Sequence, residues 1–340
     1  MNTRPQRRLS ASLLAAVVSL CLLGLSACSS SAPTAADSGN TTATGGGTAS
    51  QSSASTPYDI TPLLDPSHKY LGAALPNIGK SMSAYTSFSS EIGKQPNLLE
   101  YYASWGDGFD ASAVRNIDNA GALAYMAWEP FKPSIASIAA GSTDAYIKTF
   151  AEAVRKLNLP LAISFGHEMN GDWYPWGTQG TTAADFVHAW QHIHDIFNEV
   201  GATNVIWIWS PNVINPVPSV QLKAYYPGDA YVDWIGMIGY YTLTGEDTFK
   251  ELYGPTMTEV GKFTSKPYII SETASQAGQR RKADVDNLFD GVATHDNVLG
   301  FVWFDMIKRA DWRIEISPVA LAEFKARASS SLFGFDVRNP

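Results

Sequence analysis

Between residues 69 and 305 the chain repeats one pattern: a short apolar run of β type, in most cases followed by a stretch able to form a helix. Eight such runs can be read. They are KYLGAALP at 69–76, LLEYYASWG at 98–106, ALAYMAWEP at 122–130, PLAISFGHE at 160–168, VIWIWSPN at 205–212, DWIGMIGYY at 233–241, PYIISETA at 267–274 and LGFVWFD at 299–305. Most are continuously apolar rather than alternating, as parallel strands covered on both faces require. Residues 142–158 and 182–200 read as amphipathic helices, with Thr143-Asp144 and Thr181-Thr182 as N-caps and Gly201 as a C-terminal stop. Eight units in about 270 residues suit an α/β chain closed into a (β/α)8 TIM barrel. The competing architecture is a doubly wound open sheet. Against it, no G-x-G-x-x-G or G-x-x-x-x-G-K-[ST] follows any run, so nothing there would cradle a nucleotide phosphate.

The N-terminus has a different character. Arg4, Arg7 and Arg8 precede an apolar run over 13–25, which meets Ser26-Ala27-Cys28; this is the pattern of a secretory signal. LSAC at 25–28 resembles the bacterial lipobox, which implies that residues 1–27 are a lipoprotein signal peptide and that Cys28 becomes the lipidated first residue. Two or three acyl chains anchor stably where one is marginal. The expected location is extracytoplasmic, on a bacterial membrane. Cys21 would leave with the signal and Cys28 would carry the lipid, so no thiol remains to form a disulfide. Residues 28–56 are almost wholly Ser, Thr, Ala and Gly and read as a flexible tether, leaving 57–340 as one domain, expected to be monomeric.

Acidic side chains outnumber basic ones 32 to 24, a formal charge of −8 that argues against nucleic acid or an anionic surface as the main partner. A neutral ligand fits better. Ten tryptophans are accounted for equally by a stacking cleft and by a large core.

In a barrel the C-terminal strand ends share one mouth. Here those ends carry Trp105, Trp128-Glu129, His167-Glu168-Met169-Asn170, Asn212, Tyr240-Tyr241, Ser271-Glu272 and Trp303-Phe304-Asp305. Carboxylates, indoles, amides and phenols in one ring, without a metal cluster, describe glycoside hydrolysis, with polysaccharide as partner. Aromatic faces stack on pyranose rings, and an enclosed carboxyl can hold its proton near neutrality. The reaction needs two carboxyl groups, about 5–5.5 Å apart in retaining enzymes. Glu168 and Glu272 are the candidates, each closing an apolar strand on nearly opposite sides of the ring. Glu129 and Asp305 read instead as loop anchors held by ion pairs. His188 and His192 have i,i+4 spacing, but the stripe Phe186, Trp190, Ile193 and Phe197 would face the barrel and leave these histidines and His194 largely outside. The block Arg280-Arg281-Lys282 reads as a solvated loop or helix start.

The strings GHEMNGDWYPWG at 166–177, YYASWG at 101–106, VDWIGMIGYY at 232–241, IISET at 269–273 and LGFVWFD at 299–305 resemble glycoside hydrolase family 26 over roughly residues 68–326. The resemblance implies a retaining (β/α)8 glycanase without cofactor. The family's best-known activity is endo-β-1,4-mannanase, with lichenase-type β-glucanases and β-1,3-xylanases as alternatives. By motif, Glu168 resembles the acid/base and Glu272 the nucleophile. His167 would help bind sugar beside the cleavage point, Tyr240 would hydrogen-bond the nucleophile, and Trp303 would floor the subsite of the attacked sugar. Trp173 and Trp176 would border the leaving-group side, with Asn170, Trp105 and Trp128 as further supporting residues. One position departs from the pattern: the family often reads G-I-D-G-Y after strand six, whereas this chain has Ile238 in place of the aspartate. A rival of another class is a lipoprotein that captures polysaccharide without turnover.

Overall fold

Each of the eight apolar runs forms a strand in the computed structural model, which describes residues 56–340. The strands are β1 (Tyr70–Ala74), β2 (Leu98–Ser104), β3 (Leu123–Glu129), β4 (Leu161–Phe165), β5 (Val205–Trp209), β6 (Trp234–Ile238), β7 (Tyr268–Thr273) and β8 (Val298–Phe304). They pair in sequence order, all parallel, and β8 pairs with β1 to close the barrel. The expected signal peptide, Cys28 and nearly all of the expected tether lie outside the described residues. Among those described, no helix is long and apolar enough to cross a membrane.

The outer layer contains α1 (Ser83–Ile92), α2 (Ala111–Asn119), α3 (Asp144–Leu157), α4 (Ala183–Val200), α5 (Gly254–Val260), α6 (Arg281–Thr294) and α7 (Pro318–Ala328). Between β5 and β6 the connection has only a 3-10 turn, Leu222–Tyr225, where the repeat would place a helix. The expected caps hold for α4: Thr182 Oγ1 accepts the Asp185 amide at 3.0 Å, and Gly201 ends the helix at φ +80°. Thr143 makes no such contact at α3. Asp144 instead accepts a 2.7 Å hydrogen bond from His192 Nε2 of α4.

Eight of the ten tryptophans are 9% exposed or less. Their burial resolves the ambiguity of the composition in favour of the core. Trp105 stacks on Trp128 at 4.4 Å and Trp128 on Phe150 of α3 at 4.5 Å, so both strand-end tryptophans point into the helix layer. Removing such a ring costs about 3–5 kcal/mol.

Two expectations about charged and titratable groups need correction. His194 is not at the surface: its ring lies 5.4 Å from Trp207 and 4.9 Å from Tyr231, and burial pushes its pKa down. Arg281 is not solvated either. The first turn of α6 directs it inward, where it is 1% exposed and donates to the Trp312 carbonyl at 2.6 Å. Its neighbours behave as exposed helix-start residues do, Arg280 pairing with Asp284 and Lys282 with Glu323. Among the described residues no cluster of His, Cys, Asp and Glu could hold a metal ion.

Candidate active site

Beyond β4 the chain turns sharply. Gly166 and Glu168 both take left-handed backbone conformations, φ +57° and +55°. For a glutamate this costs about 1–2 kcal/mol. The turn is held by the Glu168 amide donating to the Ser210 carbonyl at 2.7 Å and the Gly171 amide donating to the Glu168 carbonyl at 2.9 Å. Trp173 Nε1 donates to Glu168 Oε2 at 2.8 Å, and Asn212 Nδ2 donates to Oε1. Gly171 makes the first contact possible, since a Cβ there would lie 2.4 Å from the Trp173 ring. Asn170 is buried and reaches no open space. Its amide clamps Asn212 at both backbone groups, accepting from N and donating to O at 2.9 Å each. Asn170 therefore positions the residue that holds Glu168.

Glu272, 8% exposed, ends β7 opposite this turn. Tyr102 donates to its Oε2 and Tyr240 to its Oε1. The tyrosine expected on Glu272 is thus joined by a second one from β2. Ile238 is buried in register with Glu272, so β6 contributes no carboxylate where the family pattern has aspartate.

Burial raises the pKa of both glutamates, but their surroundings differ. Glu168 is pushed up to about 7, first by enclosure and then by the charge of Glu272, against the opposing effect of its Trp173 and Asn212 donors. At Glu272 burial is opposed by the two phenols, each of which favours the ionised form. His167 is enclosed between Tyr174, Trp176 and Tyr102, with ring centroids 5.1, 5.7 and 6.3 Å away. Burial drives its pKa down to about 3, so it stands as neutral imidazole.

Glu168 and Glu272 line a cleft of about 280 Å³ with Trp173, Tyr174, Asn212, Tyr240, Phe304, Lys308, Arg309 and Trp312. A larger cavity, about 450 Å³, contains neither glutamate and is lined by Leu75, Tyr101, Met126 and Phe150. Trp303 does not floor the cleft. It is fully buried against Phe324 of α7, because side chains alternate along β8 and the inward-facing aromatic is its neighbour Phe304. Trp176 is also buried: it stacks under Tyr174 at 4.3 Å and donates to the His167 carbonyl, leaving Trp173 and Tyr174 at the surface of the cleft. Trp105 and Trp128 belong to the helix layer. Glu129 makes no ion pair within 4.0 Å among the described residues, and burial pushes it up to about 7. Asp305 does anchor a loop, but through the Ile314 amide at 2.7 Å and Trp303 Nε1 at 3.2 Å rather than an ion pair.

Tyr102 and Trp312 complete the site beyond the residues singled out from sequence, and Asn212, read only as a strand-end residue, holds Glu168. Tyr102 had a signal, since it shares the inward phase of β2 with Glu100, a buried glutamate with an unpartnered Oε2. Trp312 had none. It lies beyond β8 and reaches the cleft only because the chain folds back to place its ring 4.7 Å from Tyr240.

Two enclosed carboxyl groups with different donors thus face one cleft at the C-terminal mouth of a closed eight-stranded barrel, the arrangement that glycoside hydrolysis requires. Residues 134–290 match the model for glycosyl hydrolase family 26. Endoglucanase H of Acetivibrio thermocellus is 31% identical over 262 residues, covering 72% of this chain and 29% of that protein. A mannan endo-1,4-beta-mannosidase of Caldalkalibacillus mannanilyticus is 35% identical over 82 residues, covering 22% of this chain and 15% of that protein. The chain therefore spans less than a third of either relative. A modular endo-beta-1,4-mannanase from Cellulomonas fimi shares the fold, with a TM-score of 0.65 at 15% identity over 82% of this chain and 74% of that one.

Proposed function

We propose that this chain is a retaining endo-β-glycanase, with Glu272 as nucleophile and Glu168 as acid/base. The observation that carries the reading is the asymmetry of the two carboxyl environments. Glu272 has a phenol donor on each oxygen and is built to carry charge, whereas Glu168 is poised to hold a proton near neutral pH. Glu272 attacks the anomeric carbon while Glu168 protonates the departing glycosidic oxygen, giving a covalent glycosyl-enzyme. Once Glu272 is esterified its charge is gone, which lowers the pKa of Glu168 and turns it into the base that deprotonates the incoming water. Glu272→Ala should lose essentially all turnover. Glu168→Ala should lose about 10²–10⁴-fold on poor leaving groups and much less on activated aryl glycosides. Near-wild-type rates for both variants on every β-glycan would overturn the assignment, and binding without release of reducing ends would favour the capture protein instead.

β-1,4-Mannan is the substrate we propose first, in line with the mannosidase relatives. β-Glucan is the second reading, supported by Endoglucanase H, which aligns with 72% of this chain. Oligosaccharides released from each polymer, resolved by chromatography, separate the two. We also propose that Cys28 carries a lipid anchor, supported by the LSAC string and the signal before it. Palmitate incorporation should vanish in Cys28→Ala.

A further inference from the structure

β8 runs straight into a two-stranded hairpin, β9 (Ile307–Lys308) and β10 (Ala310–Asp311), whose turn places Arg309 at φ +59°. The hairpin is firmly mounted. Arg281 holds the Trp312 carbonyl, Asp305 holds the Ile314 amide, and Arg313 grips Asp311 through Nε at 2.9 Å and Nη2 at 2.7 Å. It presents two cations to the cleft, Lys308 and Arg309, both lining it beside Glu168 and Glu272. Lys308 Nζ stands 5.7 Å from the ring centroid of Tyr102, the residue that donates to Glu272.

Neither cation has a carboxylate within 4.0 Å among the described residues, whereas the nearby Arg280 and Arg313 are both paired. Lys308 acts at longer range on Glu100, Glu129, Glu168 and Glu272, yet neither it nor Arg309 is engaged at contact distance, and both stand exposed at the mouth of the cleft. A sugar hydroxyl could accept a hydrogen bond from either but would form no ion pair with them. A carboxylate matches the planar fork of Arg309 and the point charge of Lys308 together. We infer that the cleft is adapted to a β-glycan bearing carboxylate groups, as a uronic acid or a pyruvate ketal carries them, with Lys308 and Arg309 pairing to the carboxylate. The inference rests on the glycanase reading and narrows its substrate.

The test compares β-mannan and mixed-linkage β-glucan with the same polymers lightly oxidised at C6 to uronate. At low salt the oxidised form of the preferred polymer should show kcat/KM higher than its parent by on the order of tenfold, and the advantage should shrink at high salt as the charges are screened. Lys308→Gln combined with Arg309→Gln keeps hydrogen-bond donors but removes both charges. It should bring the ratio of oxidised to parent close to one, with its circular dichroism spectrum and melting temperature reporting that the variant is folded. Two results overturn the inference while leaving the glycanase reading intact: a parent polymer cleaved as well as or better than its oxidised form, or a double variant that loses the same factor on both. The second would mean that the cations serve the site's own carboxylates. If wild type cleaves none of the four polymers, the mannan and glucan readings of the substrate fall and this inference falls with them.

Discussion

Tyr102 and Tyr240 divide the oxygens of Glu272 between them, and that division governs the charge of the carboxyl we propose as nucleophile. Each phenol favours the carboxylate, so removing one raises the Glu272 pKa. In Tyr102→Phe the acidic limb of the kcat/KM profile should therefore move to higher pH. At the optimum kcat/KM should fall about 10–100-fold, the equivalent of one hydrogen bond to a charged group. Tyr240→Phe should act in the same direction. A profile measured on an aryl glycoside whose acidic limb stays in place in both variants would refute the role given to the phenols. Ile238 fits this picture: with no carboxylate beside Glu272 from β6, the two tyrosines meet no competing anion there.

The segment after β4 works as a unit. Glu168 is held by Trp173 from its own loop and by Asn212 from the end of β5, and Asn212 is held in turn by Asn170. Because the Trp173 donor lowers the Glu168 pKa, Trp173→Phe should raise it and move the basic limb of the kcat/KM profile to higher pH. Gly171→Ala should give the same displacement, since a methyl 2.4 Å from the indole forces the ring off Glu168. A basic limb that moved in neither variant would show that the indole does not tune the acid. This segment was also the most legible part of the site. Its glutamate, asparagine and indole were all visible in GHEMNGDWYPWG, but the division of labour was not: sequence does not show that Asn170 faces Asn212, 42 positions later, or that Trp176 lies beneath Tyr174.

Across the molecule, several carboxyls held above their ordinary range make stability depend on pH. Glu129 is pushed up to about 7 by burial, from 4.5. The folded protein therefore keeps a proton there that the unfolded chain loses, and this stabilising contribution is complete below pH 4.5 and is lost as pH rises through 7. Glu129→Gln cannot ionise and should escape that loss. Its melting temperature relative to wild type should rise from pH 4.5 to pH 8 by the equivalent of roughly 1 kcal/mol, after discounting for its partial exposure. An equal difference between the two proteins at both pH values would show that Glu129 titrates normally.

The sequence by itself determined the eight parallel strands, their order around the barrel, and the two glutamates at opposite strand ends. These are properties of local apolar runs, and closure of the barrel carries every strand end to the same mouth. Only the tertiary structure decided which tryptophans are core and which face ligand, because one step along a strand reverses a side chain's direction, as Trp303 and Phe304 show. It alone also supplied the partners that give the glutamates different surroundings. Tyr102 and Glu272 are 170 positions apart, and their contact exists only after the barrel has closed.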